Sequence, residues 1–434
     1  MQKSIPKAQA DTTDVGYRDF SYTGTASPTG NKPQDKLWYT ADGTWWGILF
    51  NSSTDYNIYR FDKTTQSWSD TGVLIDKRNN TKSDTLWDGS HLYIASSTVS
   101  AAGTDQNAYL RRYSYDPATQ KWSLDSGFPA LIGTGPMEAI TLTKDSTGEL
   151  WTTFTQPDPT GQSRQVYVNH SLDSDSSWGQ PYVLPVAGAN NLSPSLDDIS
   201  AIVAFDLKTQ APKVGIMWSN QNDGAIYFAA HPDGTSDQNW QSYPAPIQGP
   251  KTADDHINLK ALETDPSGRV FAVTKTSLGD TPTPDPNAPL IYMSVLGQDG
   301  TFSKYTVGTV QDDFTRPILT IDTTNRQVYV FAAAPLKNTV TNPDGTVTVL
   351  EPRAIFYKRT SLDNISFPAG QGTPFIRNAA DSFTDNPTST DQNVTSASGL
   401  LVLASADDPA TGTHDYLHNF MELGNGDTTP PKTT

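Results

Sequence analysis

The chain has 434 residues, 47 acidic against 30 basic side chains, and a formal net charge of −17. Binding phosphates requires clustered Lys and Arg, and no such run occurs, which argues against nucleic acid and anionic membrane as partners. There is no cysteine to report on redox compartment, and no apolar run long enough to span a bilayer.

One pattern recurs about seven times along the chain. A polar or charged residue opens a short apolar strand, a Gly/Asp turn follows, a second strand ends in polar residues, and a third leads into a hairpin ending at an aromatic. The first copy holds Lys36-Leu37-Trp38, Asp42-Gly43, Trp46-Gly47-Ile48-Leu49-Phe50 and Tyr59-Arg60-Phe61-Asp62, ending at Trp68. The second holds Asp84-Thr85-Leu86-Trp87, Asp88-Gly89, Leu92-Tyr93-Ile94 and Tyr113-Ser114-Tyr115, ending at Trp122. The third runs from Glu138 to Trp178, the fourth from Asp198 to Trp240, the fifth from His256 to Phe302 and the sixth from Arg316 to Phe367. A last unit, Asn393-Val394-Thr395, Leu400-Leu401-Val402-Leu403 and Tyr416-Leu417, supplies three strands and no fourth.

A period of this length with strand alternation and no helical stripe predicts an all-β, seven-bladed β-propeller. Tyr17-Arg18-Asp19-Phe20-Ser21-Tyr22 is the expected missing strand, completing the last blade and leaving no free sheet edge. The propeller is expected over residues 14–423, after an N-terminal segment 1–13 and before a disordered Thr/Pro-rich tail from Gly424. The sequons at Asn51, Asn79, Asn169, Asn191, Asn364 and Asn393 fit an extracellular, secreted protein. A monomer is expected.

The residues opening the copies should ring one axial mouth: Lys36, Asp84, Glu138, Asp198, His256, Arg316 and Gln392-Asn393. Second-strand ends add Asn51, Ser96, Gln156, Asn220, Gln221, Lys275 and Asp407. Alternating acids, bases and amides predict a wet site for a polar ligand, where a packed structural axis would carry small or apolar residues. The densest cluster is Asp254-Asp255-His256-Ile257-Asn258-Leu259-Lys260, followed by Lys275. Histidine titrates near neutrality, so His256 is the candidate base and acid, with Lys275, Lys260 or Arg316 holding an anion. Trp46 and Trp218 are candidates to stack a sugar ring, and His418 to reach the funnel edge. No HExxH or EF-hand loop occurs, so zinc is not expected; Asp84, Glu138, Asp197 and Asp198 are candidate oxygen donors for a hard cation such as calcium. His170 precedes Ser171-Leu172-Asp173-Ser174-Asp175-Ser176-Ser177-Trp178, which reads as turn architecture.

Asp84-Thr85-Leu86-Trp87-Asp88-Gly89, Asp254-Asp255-His256-Ile257-Asn258-Leu259-Lys260, Thr315-Arg316-Pro317 and Thr360-Ser361-Leu362-Asp363-Asn364-Ile365-Ser366-Phe367 resemble phrases of secreted microbial propeller proteins related to sialidase-type Asp-box repeats. More distantly, the architecture is similar to seven-bladed polysaccharide lyases, among them those that split L-rhamnose from D-glucuronate on arabinogalactan-type glycans. That resemblance implies a funnel histidine as base and acid, cations or calcium on the uronate, and no organic cofactor. On it, His256 is the base, Arg316 with Lys275 or Lys260 grips the carboxylate, Asp255 orients the imidazole and Asp198 binds hydroxyls. A true sialidase is disfavoured, since only Arg316 of its arginine triad has a counterpart at a funnel position. Two rival readings are a glycoside hydrolase using paired carboxylates among Asp84, Glu138, Asp198 and Asp255, and a glycan-binding propeller without catalysis.

Overall fold

A single repeat cannot bury both faces of its own sheet, so the repeats must stack. The computed structural model describes residues 14–424 apart from 31, 52–53, 99–104, 263–266, 337, 342–346, 351, 380–382 and 409–412. Seven antiparallel sheets are arranged as the blades of one propeller. From axis to rim, blade 1 comprises Leu37–Tyr39, Trp45–Phe50, Tyr56–Asp62 and Ser67–Asp76. The innermost strands of blades 2 to 6 are Thr81–Trp87, Glu138–Lys144, Ser200–Phe205, Ile257–Ala261 and Thr315–Asp322. The hairpin of blade 6 made by Asn338–Thr341 and Val347–Leu350 stands apart as its own two-stranded sheet.

Second strands lie sandwiched between neighbouring blades, which is why those of blades 1 and 4 carry apolar runs. Trp45–Phe50 and Lys213–Asn220 are buried at every position. Close inter-strand packing explains two glycines there. A Cβ on Gly215 would fall 2.4 Å from Phe228, and one on Gly47 would fall 2.7 Å from Leu37. Each large side chain buried in these layers contributes on the order of 1.5–3 kcal/mol.

Blade 7 corrects one expectation. Its innermost strand is Thr384–Thr388, not Asn393-Val394-Thr395. The true strand, Thr-Asp-Asn-Pro-Thr, is polar because it faces the axis, and it carries a bulge with Asn386 at φ +52°. Similar bulges occur in the innermost strands of blades 3 and 6, with Ala139 at φ +49° and Arg316 at φ +52°. Gln392 and Asn393 consequently lie past the strand, at the opposite mouth of the ring, where the Val394 N–H donates to the Ile321 carbonyl. The segment 1–13 and the tail from residue 425 lie outside the described residues.

Closure follows the expectation: Tyr17–Tyr22 pairs with Thr413–Met421 as the rim strand of blade 7. Arg18 and Ser21 both engage Asp415, Tyr17 stacks on His418 at 5.2 Å, and His418 Nδ1 meets Asp19 at 2.8 Å. Just before this strand, Val15 exchanges two backbone hydrogen bonds with Arg377 of blade 6. His418 is fully buried in this rim latch, so it does not reach the funnel edge.

Burial pushes the Asp19 carboxyl above its usual range, and His418 only partly offsets this. We predict that Asp19→Ala, which leaves buried His418 without its partner, lowers stability by about 1–3 kcal/mol in thermal or denaturant unfolding. An unchanged unfolding transition would contradict the latch.

Candidate active site

The innermost strands begin at one face, termed upper here. There the ring mouth is neither empty nor greasy. The segment from Thr23 to Lys36 must carry the chain from the rim of blade 7 to the axis of blade 1, and it crosses the upper face and enters the ring. Residues 28–30 and 33–36 are buried. Lys82 donates to the Ala26 and Ser27 carbonyls at 2.8 and 2.6 Å, and the Thr29 hydroxyl donates to Ser405 at 2.9 Å. Gln34 Nε2 donates to the Ile140 carbonyl at 2.7 Å, and the Asp35 N–H donates to Asp84 at 2.7 Å. Lys260 of blade 5 pairs with Asp35 from across the axis. Lys36 donates to Gln34 and to the Ser83 carbonyl.

Above this plug sits the His256 cluster. Imidazole Nδ1 is held by Asp254 and, at 2.6 Å, by Asp255. A carboxylate only accepts, so Nδ1 carries a proton, and Nε2 faces the Thr315 hydroxyl at 3.3 Å. Lys275 pairs with Asp254 at 2.7 Å, and Ser277 donates to the same carboxylate. Burial pushes Asp254 up, but His256 and then Lys275 outweigh it and hold the carboxyl well below its usual range. Asp255 is paired with Lys32 of the plug.

Two further groups at this mouth have unspent hydrogen-bonding capacity. Arg164, at the start of the third strand of blade 3, approaches Glu138 only to 3.9 Å, and its buried Nε has no partner among the described residues. Glu138 is raised above the ordinary glutamate range by burial, which the nearby Arg164 only partly offsets. Across the mouth, Arg316 and Arg353 share Asp385 at 2.9 and 3.1 Å. Arg164, Lys32, Arg353 and Asp385 were not singled out from the sequence, and Asp254 was read as part of the cluster without a role of its own.

Several expected site residues are structural. Lys36 and Lys260 are 1% and 2% exposed and serve the axis. Asp84 lies three residues beyond the start of its strand, where its oxygens accept the backbone N–H groups of Asp35 and Leu142. Asp198 is fully buried and accepts from the Gln221 backbone and side chain, which removes both from sugar binding. Asn220 is fully buried and donates to Gly188 and Asn191. Trp46 lies in the lower half, packed edge-on against Trp122 and donating to Thr40. Trp218 donates to Gly188 and stacks on Tyr227. Neither indole is available to a sugar. Lys275 and Arg316 reach the mouth but are held in ion pairs.

A calcium site requires six or more oxygens. Asp84 and Asp198 sit on different blades with their oxygens engaged by N–H groups, so the expected donor set is not assembled. Among the described residues, Asp254, Asp255 and His256 place ligand atoms within 4.8 Å of one another. Their two carboxylates are already neutralised by Lys275 and Lys32, so this set does not fit calcium either.

The lower mouth is a basin of about 480 Å³ lined by Tyr39, Trp87, Lys144, Asp391, Gln392 and their neighbours. Burial raises Asp391 there to about 6, and Lys260, 3.6 Å away, only partly counters it.

No protein-family profile and no curated protein matches the chain. Among solved structures it is similar to the polysaccharide lyase Uly1, at 10% identity over 95% of this chain and 98% of that one, TM-score 0.49. The periplasmic gluconolactonase of Pseudomonas aeruginosa gives 12%, 90%, 96% and 0.48. The alpha-L-arabinanase of Penicillium chrysogenum, complexed with arabinobiose, gives 13%, 80%, 99% and 0.44. All three TM-scores lie below one half.

Burial depresses the Lys36 ammonium to about 7, Asp84 and Asp35 only partly opposing this. From there to the usual lysine range the folded state binds fewer protons than the unfolded one, so this group's contribution makes stability rise with pH. We predict that wild type gains stability relative to Lys36→Met as pH increases from about 7 to about 10, read by urea unfolding at each pH. A stability difference that is flat or falls with pH refutes this.

Proposed function

We propose that the upper mouth is the active site of a carbohydrate-active enzyme, a polysaccharide lyase that breaks a glycosidic bond at a uronic acid by β-elimination. The observation that supports it most is the His256 imidazole, its Nδ1 engaged by two carboxylates and its Nε2 turned to the Thr315 hydroxyl at the mouth. In this reading Nε2 removes the C5 proton. The electron pair forms the C4–C5 double bond, the C4–oxygen bond breaks, and the leaving oxygen takes up a proton. The C5 proton is only weakly acidic, so a cation must stabilise the charge that develops on the carboxylate. Arg164 is better placed for this than Lys275 or Arg316, because among the described residues its guanidinium has no ion pair closer than 3.9 Å. Asp254 and Asp255 orient the base. Rhamnose-capped glucuronate of arabinogalactan-type glycans is the first substrate to test, and we place the protein outside the cell, where such glycans occur.

Glu138 favours one second reading. A half-buried glutamic acid with no hydrogen bond among the described residues, raised in pKa and near Asp197 and Asp255, is suited to act as the general acid of a glycoside hydrolase.

Elimination creates an unsaturated uronate that absorbs in the ultraviolet, whereas hydrolysis creates reducing ends without new absorbance. We expect absorbance to rise with wild type, His256→Ala to lose about 10²–10⁴-fold in rate with unchanged melting, and Arg164→Ala to lose both kcat and substrate affinity. Full activity in His256→Ala sinks the base assignment; reducing ends without absorbance would replace the lyase by the hydrolase.

A further inference from the structure

Two carboxylates on one imidazole nitrogen create a problem for a base. They favour imidazolium, and a base must be neutral before it takes a proton. The two carboxylates of this site are compensated from different sources. Asp254 is answered within blade 5, by Lys275 and Ser277. Asp255 is answered by Lys32, which belongs to the plug.

The position of Lys32 is set by the whole plug. Its backbone carbonyl accepts from Asn258 of blade 5 at 3.4 Å. On its rim side the chain is held by Tyr56 of blade 1, Lys82 of blade 2 and Ser405 of blade 7. On its axial side it is held by Ile140 of blade 3, Asp84 of blade 2 and Lys260 of blade 5. Five of the seven blades thus fix where this one ammonium group lies. The remaining groups around the imidazole are the Thr315 hydroxyl of blade 6, beside Arg316 with its own partner Asp385, and Glu138 of blade 3, which feels both Lys32 and Asp255.

We infer that Lys32 is a positioning residue for His256: by neutralising Asp255 it keeps the imidazole neutral and its Nε2 free, and it does so only while the plug is seated in the ring. This deepens the proposed lyase reading and rests on it for its catalytic consequence. Its electrostatic content stands on the geometry of the plug alone.

The test is an NMR titration of the His256 ring in the full chain, its resonance identified by its loss in His256→Gln. Relative to wild type, Lys32→Met is expected to move the midpoint upward, Asp255→Asn to move it downward, and Lys32→Arg to leave it in place. In turnover, Lys32→Met should lower kcat/KM at neutral pH, recover at higher pH, and leave KM nearly unchanged. An unchanged or lowered midpoint in a folded Lys32→Met variant overturns the inference. Should that variant fail to fold, Asp255→Asn decides, and a midpoint that does not fall overturns it equally. The predicted shifts in the variants, together with no lyase activity in the wild type, would sink the proposed function and leave this electrostatic role intact.

Discussion

The ion pair between Asp35 and Lys260 is the constraint on which the rest of the site depends. Seven sheets arranged radially leave an axial hole, and the chain fills it with its own polar segment. Burying charges there is costly unless they are paired and hydrogen-bonded. Asp35 meets that condition by reaching across the axis to Lys260 while its backbone binds Asp84 and Thr85. Removing one partner of such a pair leaves an uncompensated buried charge, typically worth about 3–5 kcal/mol. Asp84 and Asp391, both raised by burial, and the depressed Lys36 show how little room this axis has for further charge.

The same segment links the closing strand to the chemistry. One end continues from the rim strand latched by Asp415 and Asp19, and the other continues into the innermost strand of blade 1. Between them lies Lys32, in contact with Asp255 of the His256 cluster. Ring closure and assembly of the mouth are therefore consecutive consequences of one stretch of chain. Most charges at that mouth satisfy one another, while Arg164 and Glu138 keep unused hydrogen-bonding capacity among the described residues. In a low-dielectric mouth, such groups are where a charged or hydroxylated ligand gains most.

Much of the fold was legible in the sequence. Burial on both faces favours apolar residues in second strands, so Trp46-Gly47-Ile48-Leu49-Phe50 marked the first blade, and the surplus strand Tyr17–Tyr22 marked the closure. Thr384–Thr388 was missed because an innermost strand facing a polar axis has no hydrophobic alternation to read. His256, Asp254, Asp255 and Lys275 lie close together in the chain, and the hairpin of blade 5 brings them into contact. Lys32 and Arg164 reach the mouth from a connection and from a third strand, places that a count of strand openings does not visit. Trp46 and Trp218 were misassigned because an aromatic near a strand end has the same local pattern whether it faces a ligand or a neighbouring blade.

In the proposed function, ligand binds at the upper mouth, beside His256 and Arg164, and the lower basin around Trp87 and Asp391 has no part in turnover. The most direct measurement is a crystal structure of His256→Ala soaked with a glucuronate-terminated oligosaccharide. Density for the uronate carboxylate at the Arg164 guanidinium, with C5 facing the vacated imidazole position, is the predicted result. Ordered sugar in the lower basin with a bare upper mouth would contradict it.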